Sequence, residues 1–134
     1  MNIGILGIRG SKLDARETAK AFEKIVEIVD KFAIPDLELM TMHSPNGGIN
    51  AMVEMYAESN KIKHTWYDYG RSVFDWKESS TQLAEDCDVL FCLTTKIKND
   101  QCHHCLDYTH ESTGGCYAMK RAKDIGKKTK LIIL

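Results

Sequence analysis

The stretch 88–93, DVLFCL, is apolar at nearly every position. A strand with one wet face alternates apolar and polar residues, whereas one written this way is covered on both faces, as in the middle of a parallel sheet. Parallel neighbours need long crossover connections, usually helices, and the rest of the chain is written to supply them. Ile3, Ile5 and Leu6 form a first apolar run that breaks into a turn bearing Gly7 and Gly10. Leu37, Leu39 and Met40 form a second, which empties into His43-Ser44-Pro45-Asn46-Gly47-Gly48. Residues 61–67 alternate modestly through Ile62, His64 and Trp66, and residues 131–134 close the chain as LIIL.

Between these runs the apolar period changes to three and four. Ala15, Ala19, Phe22, Ile25, Val26, Val29 and Phe32 mark an amphipathic helix over 14–32 that Pro35 ends. Ile49, Met52, Val53 and Tyr56 mark a second helix, and Ser79 or Ser80 caps a short one through Glu85. Ala118, Met119, Ala122 and Ile125 mark the last, with Gly126 as its stop. Tyr67 to Trp76 is an aromatic-rich segment read as irregular; its rings could stack a base or cover the end of the sheet. The order βαβαβαβαβ predicts one Rossmann-like domain over 1–134, a three-layer α/β/α stack around a mostly parallel five-stranded sheet.

A chain of 134 residues is long enough to bury roughly two thirds of the surface it exposes when unfolded. Its net charge of −1 advertises no polyanion partner, so nucleic acid is unsupported as a ligand, although Lys96 and Lys98 keep single strands in play. No apolar run approaches the ~20 residues of a membrane span, and MNIGILG lacks the basic lead of a secretory signal. The expected location is the cytoplasm, the expected state soluble, and a homo-oligomer is consistent with exposed sheet edges.

Five cysteines in a reducing compartment argue for free thiols or a metal rather than disulfides. Cys102, Cys105, His110 and Cys116 follow the spacing C-x2-C-x4-H-x5-C within an excursion at about 96–113, one residue longer at its end than a zinc knuckle. Three sulfurs and an imidazole suit tetrahedral zinc, and four protein ligands leave no open position, which makes the expected zinc a structural staple. His103 and His104 are alternates to His110. Cys87 and Cys92, on or beside a strand, read as buried apolar thiols. Cys116, at a helix start, also has the placement of a lowered-pKa nucleophile.

The motifs GIRG, SPNGGINAMVEMYAESNKI, STQLAEDCDVLFCL and STGGCYAMKRAKDIGKKTKLI together resemble the SLOG superfamily, the Rossmann-like group that includes LOG phosphoribohydrolases and DprA proteins. Its small YspA-type members are the nearest in kind. The resemblance implies a nucleotide or nucleotide derivative held by glycine loops: Gly7 and Arg9 match the first, Gly48 and Asn50 the second, and Thr113, Gly114 and Gly115 the fourth, while Gly10, Asn46 and Gly47 are candidate contacts as members of the same glycine-bearing turns. Asn50 stands where such proteins usually carry Asp, and Ser79 and Ser80 where an Arg-Asn pair is common. The resemblance further implies a catalytic glutamate a few residues after the fourth glycine turn, and there this chain has Met119, which holds neither proton nor charge. Glu111 precedes that turn and reads as an exposed loop acid.

Three functions follow. The first is a nucleotide-binding domain whose zinc-held loop borders the ligand. The second is a hydrolase or transferase acting on an N-glycosidic bond, and the third is a protein or nucleic-acid interaction module on the same scaffold.

Overall fold

A computed structural model spans Met1 to Leu134 and describes all residues except 45–46, 69, 71 and 104–108, together with the backbone alone of Val73. The strands are β1 (Asn2–Gly7), β2 (Glu38–Met42), β3 (Lys63–Tyr67), β4 (Val89–Thr94) and β5 (Lys128–Ile133). The helices are α1 (Ala15–Lys31), α2 (Ile49–Ser59), α3 (Val73–Asp86) and α4 (Gly115–Asp124), with a single 3-10 turn at Gly10–Lys12. All four strand pairings are parallel, in the order β3-β2-β1-β4-β5. The expected α/β architecture is therefore the observed one, with a sheet that is parallel throughout.

The order reverses between β1 and β4. Right-handed crossovers stepping from β1 to β3 put their helices on one face, and those running from β3 back to β4 and on to β5 put theirs on the other. The buried side chains follow that division. Ala21, Ile25, Ile28 and Val29 of α1 join Val53 and Ala57 of α2 over Ile3, Ile5, Leu39 and Phe91. On the opposite face Leu83 and Ala84 of α3 join Ala118, Met119 and Ala122 of α4 over Leu6, Met40, Leu90 and Cys92. Central β4 has a buried residue at every position from Leu90 to Thr94, as its composition requires.

Two local readings are corrected. Helix α1 buries the stripe through Ala21, Ile25 and Ile28, while Ala15, Ala19 and Phe22 of the adjacent stripe are exposed. Alanines at neighbouring positions do not discriminate between two stripes one residue apart, and the capping box of Asp14 and Glu17 fixes the helix start regardless of either. Helix α3 begins at Val73, well before Ser79, because the Ser72 hydroxyl accepts from the Asp75 N–H at 3.2 Å. Ser80 lies mid-helix and buried. The aromatics before it pack locally: Trp76 tilts on Tyr117 with ring centroids 5.3 Å apart, and the Tyr67 hydroxyl donates to Asp86.

The reversal point demands close backbone contact. A Cβ on Gly7 would lie 2.4 Å from the Leu93 carbonyl oxygen and 2.6 Å from Ile49 Cγ1. Gly48 combines φ +89° with a place where a Cβ would meet the Ile8 carbonyl oxygen at 2.5 Å. Gly7→Ala should therefore cost about 1–3 kcal/mol of stability, the usual range for overpacking. Urea unfolding measures this, and an unchanged midpoint would contradict the tight junction of β1, β4 and α2.

Candidate ligand crevice and metal site

At the carboxyl ends of β1 and β4, where neighbouring crossovers leave in opposite directions, open α/β sheets have their natural crevice. A cleft of about 240 Å³ occupies that point, lined by Gly7, Arg9, Lys12, Ser44, Gly47, Asn50, Ser112, Thr113 and Gly114. No carboxylate is among these residues, while two are cations. Helices α2 and α4 both start here, each with a glycine N-cap whose position makes no side-chain capping bond. The positive ends of two helix dipoles thus lie at a cavity that already holds an arginine and a lysine, although the first N–H groups of the helices are taken up within the chain, Ile49 N–H by the Ile8 carbonyl and Gly115 N–H by Thr113 Oγ1.

Of the residues expected at a ligand, Gly7, Arg9, Gly47, Asn50, Thr113 and Gly114 line this cleft. Gly10 opens the 3-10 turn beside it, and Gly48 backs the second loop against Ile8 and Arg9. Gly115 faces a smaller notch with Trp76 and Ser80, and Asn46 lies outside the described residues. Asn50 has an architectural task as well: its Oδ1 accepts from the Gly7 N–H at 3.0 Å, tying the start of α2 to the end of β1. Lys12, Ser44 and Ser112 were not anticipated. Lys12 was legible in principle, since a cation two residues beyond Gly10 in GIRGSK stays within reach of the same turn.

Behind the cleft wall the excursion doubles back on itself. Gln101 bridges Glu111 in antiparallel fashion, Cys102 N–H donates to the His110 carbonyl at 3.0 Å, and Ser112 N–H donates to the Asp100 carbonyl at 2.7 Å. This pairing brings Cys102, His110 and Cys116 together, all buried, with their ligand atoms within 4.8 Å of one another. Cys105 and the alternate His104 lie outside the described residues, and His103 is exposed. The imidazole is aimed. His110 Nδ1 lies 2.8 Å from the Glu111 carbonyl, to which it must donate, so Nε2 is the nitrogen aimed at Cys116 Sγ, 3.5 Å away, and the one available to a metal. Bond lengths of ~2.3 Å to sulfur and ~2.0 Å to nitrogen place tetrahedral neighbours about 3.5 Å apart. Two thiols and one oriented imidazole could therefore hold a metal ion, and the donor set suits a soft or borderline one.

Glu111 is not the exposed acid its loop position suggested. It is 1% exposed. Its carboxylate accepts N–H bonds from Lys98 at 3.0 Å, Asn99 at 2.8 Å and Asp100 at 3.0 Å, and its Oε2 lies 3.4 Å from Lys12 Nζ. The Asn99 N–H, with those of Lys98 and Asp100 and the Lys12 ammonium, outweighs burial and holds its pKa down to about 2. A carboxylate so saturated is a structural anchor and is unsuited to proton transfer near neutrality. Met119 sits in the core under α4, away from the cleft. The other cysteines behave as expected: Cys87 and Cys92 are buried, and burial pushes the Cys87 thiol up to about 11.

Compared with known proteins, the chain matches no family model, no curated protein and no solved structure.

Two outcomes follow from this geometry. Cys102→Ser and Cys116→Ser should each abolish tight metal retention, read by elemental analysis, while Cys87→Ser leaves it intact. Because folding lowers the Glu111 pKa from its ordinary 4.5, its stabilisation is fully present above that value and is lost as pH falls toward about 2. In chelator-treated protein, Glu111→Gln should lower the melting temperature by several degrees at pH 7 and flatten the acid limb of the stability profile. An unchanged acid limb would contradict the anchoring role.

Proposed function

We propose that this chain binds a phosphate-bearing nucleotide or nucleotide derivative in the β1–β4 crevice, and that a structural zinc on Cys102, Cys105, His110 and Cys116 holds the loop forming one wall. The observation that carries this reading is the lining itself: a cleft at the reversal of strand order, with Arg9 and Lys12, two helix starts and no acid among its described walls. Such a cavity attracts an anion through fixed backbone dipoles and two cations. The SLOG resemblance points the same way, since it implies a nucleotide or nucleotide derivative held by these glycine loops. Zinc is the metal that two or three thiolates and an imidazole favour in a closed tetrahedral site, where it braces the chain and performs no chemistry. A loop with few apolar side chains gains its order from such a bond set.

The hydrolase or transferase reading ranks below binding. It needs a carboxylate facing the sugar, and Glu111 is buried in its backbone cradle while Met119 is in the core. Among the described residues the interaction-module reading finds support in exposed side chains such as Phe74 on α3, which is 76% exposed. No helix among the described residues is long and apolar enough to cross a membrane.

A thermal-shift panel tests the proposal. Nucleoside monophosphates or ADP-ribose at a hundredfold excess over Kd should raise the melting temperature by roughly 5–10 °C, with the parent nucleosides far less effective and Arg9→Ala largely abolishing the shift. Stabilisation by nucleosides equal to that by their phosphates would overturn the anion-led account.

A further inference from the structure

We infer that metal loading sets the affinity of the crevice, so that this chain binds its phosphate ligand tightly only when Cys102, His110 and Cys116 are metal-bound. The inference rests on the phosphate-binding reading above and assigns that site its regulation.

A short covalent path joins the two sites. Ser112, Thr113 and Gly114 line the crevice, and they are the residues between His110 and Cys116 with only Glu111 and Gly115 besides. An ion bonded to both side chains closes a short ring around that wall, adding a cross-link to the bonds already there: Glu111 N–H to the Thr95 carbonyl at 2.9 Å, Ser112 N–H to the Asp100 carbonyl at 2.7 Å, Tyr117 N–H to the Gly114 carbonyl at 3.0 Å, and the Thr113 turn, whose carbonyl accepts from Cys116 N–H at 3.2 Å and whose Oγ1 accepts from Gly115 N–H at 3.3 Å. Ordering a binding loop in advance removes an entropic cost that the ligand would otherwise meet.

Lys12 connects the same wall to the ligand side of the crevice. Its Nζ lies 3.4 Å from Glu111 Oε2 and 3.2 Å from the Ser112 carbonyl, while the side chain lines the crevice. The cation offered to a phosphate is thus positioned by the residue next to His110. That residue's own carbonyl receives His110 Nδ1 at 2.8 Å and the Thr94 hydroxyl at 2.9 Å, so the imidazole's orientation, the anchor's backbone and the end of β4 form one bonded set.

Apolar side chains hold little of the described excursion. Among its described residues only Cys102 is a buried apolar group, and Ile97 is 40% exposed. Its described residues are therefore held mainly by the Glu111 cradle and by backbone bonds such as Cys102 N–H to the His110 carbonyl and Ser112 N–H to the Asp100 carbonyl, and a metal would add the one link that joins the side chains of Cys102, His110 and Cys116. Linkage requires the effect to be reciprocal: ligand must tighten metal binding by the same factor that metal tightens ligand binding.

The experiment titrates inorganic phosphate and adenosine 5′-monophosphate calorimetrically into the full chain, zinc-loaded and chelator-stripped, with circular dichroism confirming that the stripped chain stays folded. The loaded form should bind at least about fivefold more tightly, the lower end of ordinary allosteric couplings, and saturating monophosphate should lower the zinc dissociation constant by an equal factor in competition with a chromophoric chelator. If stripping unfolds the chain, the comparison passes to folded Cys102→Ser, which should show the same loss. Equal affinity in loaded and stripped or Cys102→Ser protein overturns the coupling and leaves the binding reading intact. No binding of either probe in any form overturns both.

Discussion

A single carboxylate makes the excursion part of the domain. Glu111 collects three consecutive backbone N–H groups from residues 98–100, reaches Lys12 with Oε2, and through its carbonyl receives both His110 and Thr94. A buried charge is tolerable only when it is this thoroughly bonded. That anchor works beside the antiparallel pairing of Gln101 with Glu111 and the Cys102 N–H bond to the His110 carbonyl, which turn the excursion back so that Cys102 faces His110 and Cys116.

The sheet supplies the other half of the arrangement. Reversal of strand order between β1 and β4 leaves a gap between diverging crossovers, and the backbone is packed so tightly there that Gly7 and Gly48 have no room for a side chain. The loops after β1, β2 and β4 all open into that gap. The cluster of Cys102, His110 and Cys116 stands behind the third of them, on the α3–α4 side of the sheet, where Cys102 and Cys116 also join the apolar core. Core, candidate metal ligands and crevice wall are consequently consecutive along the chain, separated by only a few covalent bonds.

The fold was legible because the signals were redundant. The run DVLFCL needs cover on both faces, and the glycine turns after the first two apolar runs mark where strands hand over to helices. The convergence of Cys102, His110 and Cys116 agrees with their spacing, which put them within fifteen positions of one another without by itself requiring that they meet. Two things were hidden for physical reasons. Glu111 looked like a solvated loop acid because its partners are backbone N–H groups, which have no letter in a sequence. Helix α3 was shortened because the aromatics from Tyr67 to Trp76 masked a cap at Ser72 whose effect depends on a backbone angle.

The claim on which the account depends is that sulfur and imidazole ligate one ion beside the crevice. X-ray absorption at the zinc K-edge of the purified full chain tests it most directly. The account predicts a four-coordinate, sulfur-rich shell, with scatterers at about 2.3 Å and a nitrogen at about 2.0 Å carrying imidazole multiple scattering. A shell of oxygen and nitrogen only, or an edge too weak for one metal per chain, would contradict it.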